Sequence, residues 1–198
     1  MILIFWIIPL NNLQSQVLKD FIYNGKKYSV DDVYKSKKPP EGIYSREGLD
    51  ECRDEVTKLY NIPISVFQLL MTTEGGKNGM IVKSKSKFGR FSYDVGVFQI
   101  NEINFKSLLK QGINPFMLRF DDCANMIAAA ILIEPFYKKA KKETWEMHYK
   151  KIDLNKIRKN YLYILAGYNS QTDNIRKKYA LRLEEHFSIN VLFAYNIY

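Results

Sequence analysis

Histidine and cysteine occur only twice each in the 198 residues, and these scarcities exclude several kinds of chemistry. His148 and His186 are too isolated, and too poorly matched with thiols or carboxylates, to hold a metal; neither a metal nor another cofactor is expected. No convincing order of Ser, His and Asp is present, and Gly75-Gly76 lacks the Gly-Lys-Ser/Thr continuation of a phosphate-cradling loop. Internal repeats and low-complexity tracts are also missing. Residues 1–10, MILIFWIIPL, form an apolar run far too short to span a bilayer but of the length of a signal-peptide core. No Lys or Arg precedes it and no small-x-small cleavage site follows. Residues 1–17 therefore read as a signal or truncated signal, or else as a buried N-terminal element.

Acidic residues are in deficit, 21 against 30 Lys and Arg, for a net charge of +9. Such an excess attracts polyanions, whether nucleic acid, an anionic membrane face or an acidic wall polymer, or it simply keeps a lysine-rich surface solvated. The lysines lie in short dispersed runs (Lys83, Lys85, Lys87; Lys138, Lys139, Lys141, Lys142) without aromatic interleaving, so no specific nucleic-acid partner is expected. Cys52 and Cys123 each precede an apolar helical pattern. In a reducing compartment they would be separate buried thiols; beside an export segment they suggest one disulfide tying two helix starts together.

With 46% hydrophobic and 26% charged residues the chain is globular, and its length suits one domain with a real core plus a short appendage. Residues 18–47, punctuated by Asn24-Gly25 and Pro39-Pro40, read as an irregular arm or linker, either wrapping the domain through Phe21, Tyr23, Tyr28 and Tyr34 or free of it. A first helix spans 49–60, with Val56, Leu59 and Tyr60 inward, and Asn61-Ile62-Pro63 breaks it. Residues 77–93 form a long loop or a small two-stranded excursion, either a basic wall beside a site or a tolerated insertion. A short helix follows at 103–111. Asp121 or Asp122 caps an apolar core helix that Pro135 kinks or ends. Residues 141–150 are amphipathic with Trp145 as anchor, Asp153 starts a helix that delivers Tyr168 and Asn169, and a last helix at 172–187 turns Ile175, Tyr179 and Leu183 inward. The tail, 188–198, is apolar and has no assigned role.

Glu74 carries the chemical interest. Ile64, Phe67, Leu70, Met71 and Glu74 follow i, i+3, i+4 spacing, so the carboxylate continues an apolar stripe just before two glycines stop the helix. A carboxylate on such a face must be paired, protonated or functional, because leaving it ionised in a dry core is costly. Further on, Gln99 and Asn101 flank Ile100 and present amides suited to a polar ligand. Asp94 reads as a turn residue that hydrogen-bonds the backbone, with a second catalytic carboxylate as the alternative.

A Glu at a helix end followed by Gly96-Val97-Phe98-Gln99-Ile100-Asn101 resembles the soluble lytic transglycosylase (SLT-type, goose-lysozyme-like) family, in particular the small secreted enzymes that accompany conjugation and secretion machines. Asp122-Cys123-Ala124-Asn125-Met126-Ile127 and Ala166-Gly167-Tyr168-Asn169-Ser170 resemble two further blocks of that family, in the right order and spacing. The resemblance implies a mainly α, lysozyme-like single domain over residues 48–187 with a short β excursion near 80–100. It implies peptidoglycan as substrate, Glu74 as acid and then base, Gln99, Asn101 and Asn169 holding the glycan, and Tyr168 orienting Glu74 or touching the sugar. Phe98 and Tyr93 would offer faces to a sugar ring, and Cys52 and Cys123 would pair. A monomer, periplasmic or secreted, serving a secretion, conjugation or phage apparatus completes that expectation. Muramidase chemistry, a non-catalytic wall-binding protein and a basic nucleic-acid binder are the alternatives. Two departures bear on the groove: Gly75 replaces the Ser that commonly follows the catalytic Glu, and Gln171 replaces a Gly.

Overall fold

The structure, a computed structural model, describes residues 17–43, 46–85, 91–170 and 172–187. The apolar N-terminal run, Lys87, Gln171 and the tail from 188 lie outside them.

The stretch expected to be an irregular arm is an ordered unit. Strands β1 (Asp20–Tyr23) and β2 (Lys26–Ser29) form an antiparallel hairpin around Asn24-Gly25. Both turn residues have positive φ, +48° and +72°, the backbone that Asn-Gly supplies in a two-residue hairpin turn. Ser29 then caps helix α1 (Val30–Lys35): its hydroxyl accepts from the Asp32 N–H while Asp32 accepts from the Ser29 N–H at 2.7 Å, a reciprocal box. Phe21 and Tyr28 pack edge-on to Phe116, so the hairpin docks on the helical body. Arg119 completes the attachment by donating to the carbonyls of Val33, Ser36 and Gly79.

Helix α2 (Arg53–Tyr60) ends in left-handed Asn61, and α3 (Ile64–Glu74) in left-handed Gly75, whose N–H bonds the Met71 carbonyl at 2.9 Å. Leu59, expected inside, is 76% exposed; Val56 alone on α2 is buried. A three-stranded antiparallel sheet follows in the order β3 (Ile81–Lys85), β4 (Phe91–Val95) and β5 (Ile100–Asn101). Helices α4 (Phe105–Leu109) and α5 (Pro115–Phe120) lead to α6 (Asp122–Tyr149), and α7 (Leu154–Leu165) and α8 (Asp173–His186) complete the body. The architecture is mainly α with a small β part, the lysozyme-like arrangement.

At 28 residues α6 is the spine of the molecule. Ala128, Ala129 and Ala130 are fully buried on it, and their small side chains let neighbouring elements approach closely. Pro135 neither ends the helix nor separates residues 141–150 from it. The loss is confined to one ladder bond, since proline has no N–H to give the carbonyl of Ile131. Trp145, expected as an anchor, is 61% exposed. Buried Asn125 on α6 clasps the sheet: its amide donates to the carbonyls of Val95 and Leu118, and its oxygen accepts from the Phe98 N–H at 2.8 Å.

Cys52 and Cys123 form a disulfide that joins the starts of α2 and α6 across 71 residues of sequence. Closing a loop of that length in the unfolded chain contributes about 4 kcal/mol in the chain-entropy model. Replacing both cysteines by Ser is expected to lower the unfolding free energy by about 2–4 kcal/mol, read as a reduced urea midpoint with a steeper slope, because the unlinked unfolded chain exposes more surface.

Candidate active site

Glu74 is the last residue of α3, and the reversal at Gly75 turns the chain away so that its carboxyl faces a cleft of about 690 Å3. The sheet contributes Ser84, Asp94 and Asn101, the turn before β5 contributes Gln99, and α6 contributes Leu132 and Phe136. The turn after α7 adds Gly167, Tyr168, Asn169 and Ser170, and α8 adds Ile175. Two glycines permit this assembly. A side chain at Gly76 would collide with the carbonyls of Gly96 and Val97, so the end of α3 and the Gln99 turn lie in contact. One at Gly167 would collide with the Phe136 ring.

Burial pushes the Glu74 carboxyl up to about 7 from its ordinary 4.5. The Tyr179 hydroxyl, which donates to Oε1 at 2.5 Å, and the positive charge of Arg182 pull it part of the way back, while the charge of Asp94 pushes it up. Arg182 also donates to the Thr73 carbonyl, bracing the end of α3 from α8. Tyr179 was legible in the sequence only as an apolar residue of the last helix. Arg182 gave no signal, because its role depends on how α8 packs on α3.

Asp94 is not a turn residue. It sits in β4 opposite Asn101, whose amide donates to it at 2.8 Å and to the Ser92 hydroxyl at 2.7 Å. Burial raises its carboxyl, and the Asn101 bond opposes this. Asn101 also accepts from the Ile103 N–H, so its amide is already committed within the cleft wall. Gln99 has positive φ, +48°, and donates to the Gly96 carbonyl at 2.7 Å. Tyr168 donates to the Phe98 carbonyl at 2.9 Å and not to Glu74. Asn169 is exposed at the cleft wall.

The two expected sugar platforms do not face the cleft. Phe98 is fully buried, edge-on to Phe67, as part of the core. Tyr93 alternates with Asp94 along β4 and so points to the other face of the sheet, where it stacks on Tyr34 at 4.0 Å. Lys83 and Lys85 belong to the stretch read either as a basic wall beside the site or as a tolerated insertion; they share that other face and lie over the Phe91 ring at 3.9 and 5.8 Å, so they do not line the cleft.

Residues 51–193 match the family described as the Transglycosylase SLT domain. The chain belongs to that family. An 89-residue stretch, 45% of the chain, is 30% identical to Protein IpgF of Shigella sonnei, and an equal match is found in Protein IpgF of Shigella flexneri. That stretch spans 57% of the length of these two relatives. The β1–β2 hairpin and α1 precede the residues matched to the SLT family.

A carboxyl raised in the folded state carries a stability signature. The native state keeps the Glu74 proton up to about pH 7 while the unfolded chain releases it near 4.5, so native protein binds more protons between those values and loses stability as pH rises. The loss is absent below pH 4.5 and complete above pH 7, on the order of 3 kcal/mol. Glu74→Gln is therefore expected to match the parent in urea midpoint at acidic pH and to exceed it in mildly alkaline buffer.

Proposed function

We propose that this chain is a lytic transglycosylase, cleaving the β-1,4 bond between N-acetylmuramic acid and N-acetylglucosamine in peptidoglycan. The observation that carries the proposal is a carboxyl at the cleft whose titration is raised to about 7, so that near neutral pH it holds a proton to give. Membership of the SLT family supports the same chemistry. Glu74 protonates the departing glycosidic oxygen, and the sugar's own acetamido group assists at the anomeric carbon. The carboxylate so formed then takes the proton of the sugar's 6-hydroxyl as that oxygen closes on the anomeric carbon. The product is a 1,6-anhydro sugar, no water is consumed, and Glu74 ends protonated as it began.

The remaining side chains hold the glycan or the wall that holds it. Gln99 and Asn169 contact the strand, Asn101 fixes Asp94 and the β4–β5 edge, and Tyr168 fixes the backbone at Phe98. The disulfide supports an oxidising, extracytoplasmic setting, periplasmic or secreted, where peptidoglycan lies. Local opening of the wall for a secretion, conjugation or phage apparatus fits that setting.

Asp94 favours one alternative, a muramidase. A second carboxylate lines the same cleft as Glu74, and a hydrolase of this kind uses a second carboxylate to activate water. Digestion of purified sacculi with mass analysis separates the two, since transglycosylase products are lighter by one water. Native protein is expected to release anhydro-muropeptides, and Glu74→Gln to lose about 10²–10⁴-fold in rate. Equal release by both forms would remove Glu74 from the mechanism, and release of nothing by the native protein would leave a wall-binding role. Tyr179→Phe removes a donor that favours the ionised carboxyl, so the alkaline limb of its pH–rate profile is expected to move to higher pH.

A further inference from the structure

The cleft uses one edge of α6, and another edge of the same helix carries a surface that the proposed reaction leaves unused. Trp145 and Tyr149, one turn apart, are 61% and 77% exposed, with their rings stacked 5.8 Å apart. Lys138, Lys141 and Lys142 fall on the same stripe, because these positions precede Trp145 at helical spacing. With Tyr60 and Asn61 at the end of α2 they border a groove of about 540 Å3. Past the helix the chain turns through exposed Lys150 and Lys151 and leaves Ile152 and Leu154 exposed as well.

Charge is concentrated at the same corner. Residues 138–159 hold nine Lys and Arg against three Asp and Glu, and two of those cations, Lys138 and Arg158, are paired with Glu134 and Glu184 outside that run. Lys138 and Lys142 have carboxylate partners in Glu134 and Glu146, at 2.6 and 4.0 Å. Lys141, Lys150 and Lys151 are in no ion pair among the described residues.

Exposed aromatic and aliphatic side chains among unpaired cations match the interfacial zone of a bilayer. Rings and short aliphatic groups enter the acyl boundary, while lysine stems carry their charge to anionic headgroups. A saccharide is the poorer match: apart from Asn61 and the tyrosine hydroxyls the groove has few neutral hydrogen-bonding groups, and Ile152 and Leu154 offer a sugar no polar contact. We propose that this corner, from the Lys138–Tyr149 stripe to Leu154, docks on an anionic phospholipid surface. Phe136 at the cleft and Trp145 on the stripe are nine residues apart, about half a turn out of phase around α6, so docking leaves the cleft on the opposite side of the helix from the lipid.

The test is co-sedimentation of the full chain with phosphatidylcholine vesicles, with and without phosphatidylglycerol, beside retention on purified sacculi. Parent protein is compared with Trp145→Ala/Tyr149→Ala and with Lys141→Glu/Lys150→Glu/Lys151→Glu, all at exposed positions and all retaining residues 1–10. The parent is expected to partition onto the phosphatidylglycerol vesicles in preference to pure phosphatidylcholine, each variant about tenfold or more weaker, with sacculus retention equal in all three. Absence of parent binding, or equal vesicle binding by all three proteins, overturns the proposal. Loss of sacculus retention by the variants with vesicle binding unchanged overturns it too, and assigns the surface to a glycan.

Discussion

Withholding water from one carboxyl is the constraint on which the rest of this structure depends. Glu74 ends a helix whose other buried residues are apolar except Thr73, and the groups around it decide how far its proton is held. Burial raises it; Tyr179 and Arg182, both from α8, restrain the rise. Neither influence acts without the packing of α8 against α3. A residue 105 positions away in sequence thus sets the state of the acid.

The opposite wall is built with similar economy. Asn125 holds β4, the turn before β5 and α5 to α6 with one hydrogen bond each, Asn101 joins β4 to β5 and holds Asp94, and Gly76 lets the end of α3 touch the Gln99 turn. Outside the residues matched to the SLT family, the N-terminal unit supports this wall from behind. Tyr34 on α1 stacks on Tyr93 and donates to Glu102 at 2.6 Å, so the sheet face away from the cleft is packed at Tyr93 by a segment that the family match does not include.

Much of the frame was legible in the sequence because its signals are local. The periodic stripe of α3, the glycine stop after Glu74, the Asp121 cap and the Asp153 cap each act within a few residues. What was misread depends on neighbours distant in sequence. Phe98 looks like an exposed aromatic beside two amides until Phe67 is seen to bury it, and Asp94 looks like a turn residue until β5 pairs with β4. The 18–47 segment was read as irregular because its polar content hid a hairpin of two four-residue strands and a short helix, held by Phe116 and Arg119. Pro135 was read as kinking or ending its helix; α6 runs on through it to Tyr149, so tertiary contacts along the helix outweigh the one hydrogen bond it forgoes.

The central claim is that the Glu74 proton is held by the fold, and the most direct measurement is the carboxyl chemical shift of that residue, followed by carbon-13 NMR against pH in native protein. A midpoint near 7 is predicted. A midpoint near the ordinary 4.5 would contradict the account, because the carboxyl would then be ionised at neutral pH with no proton to give.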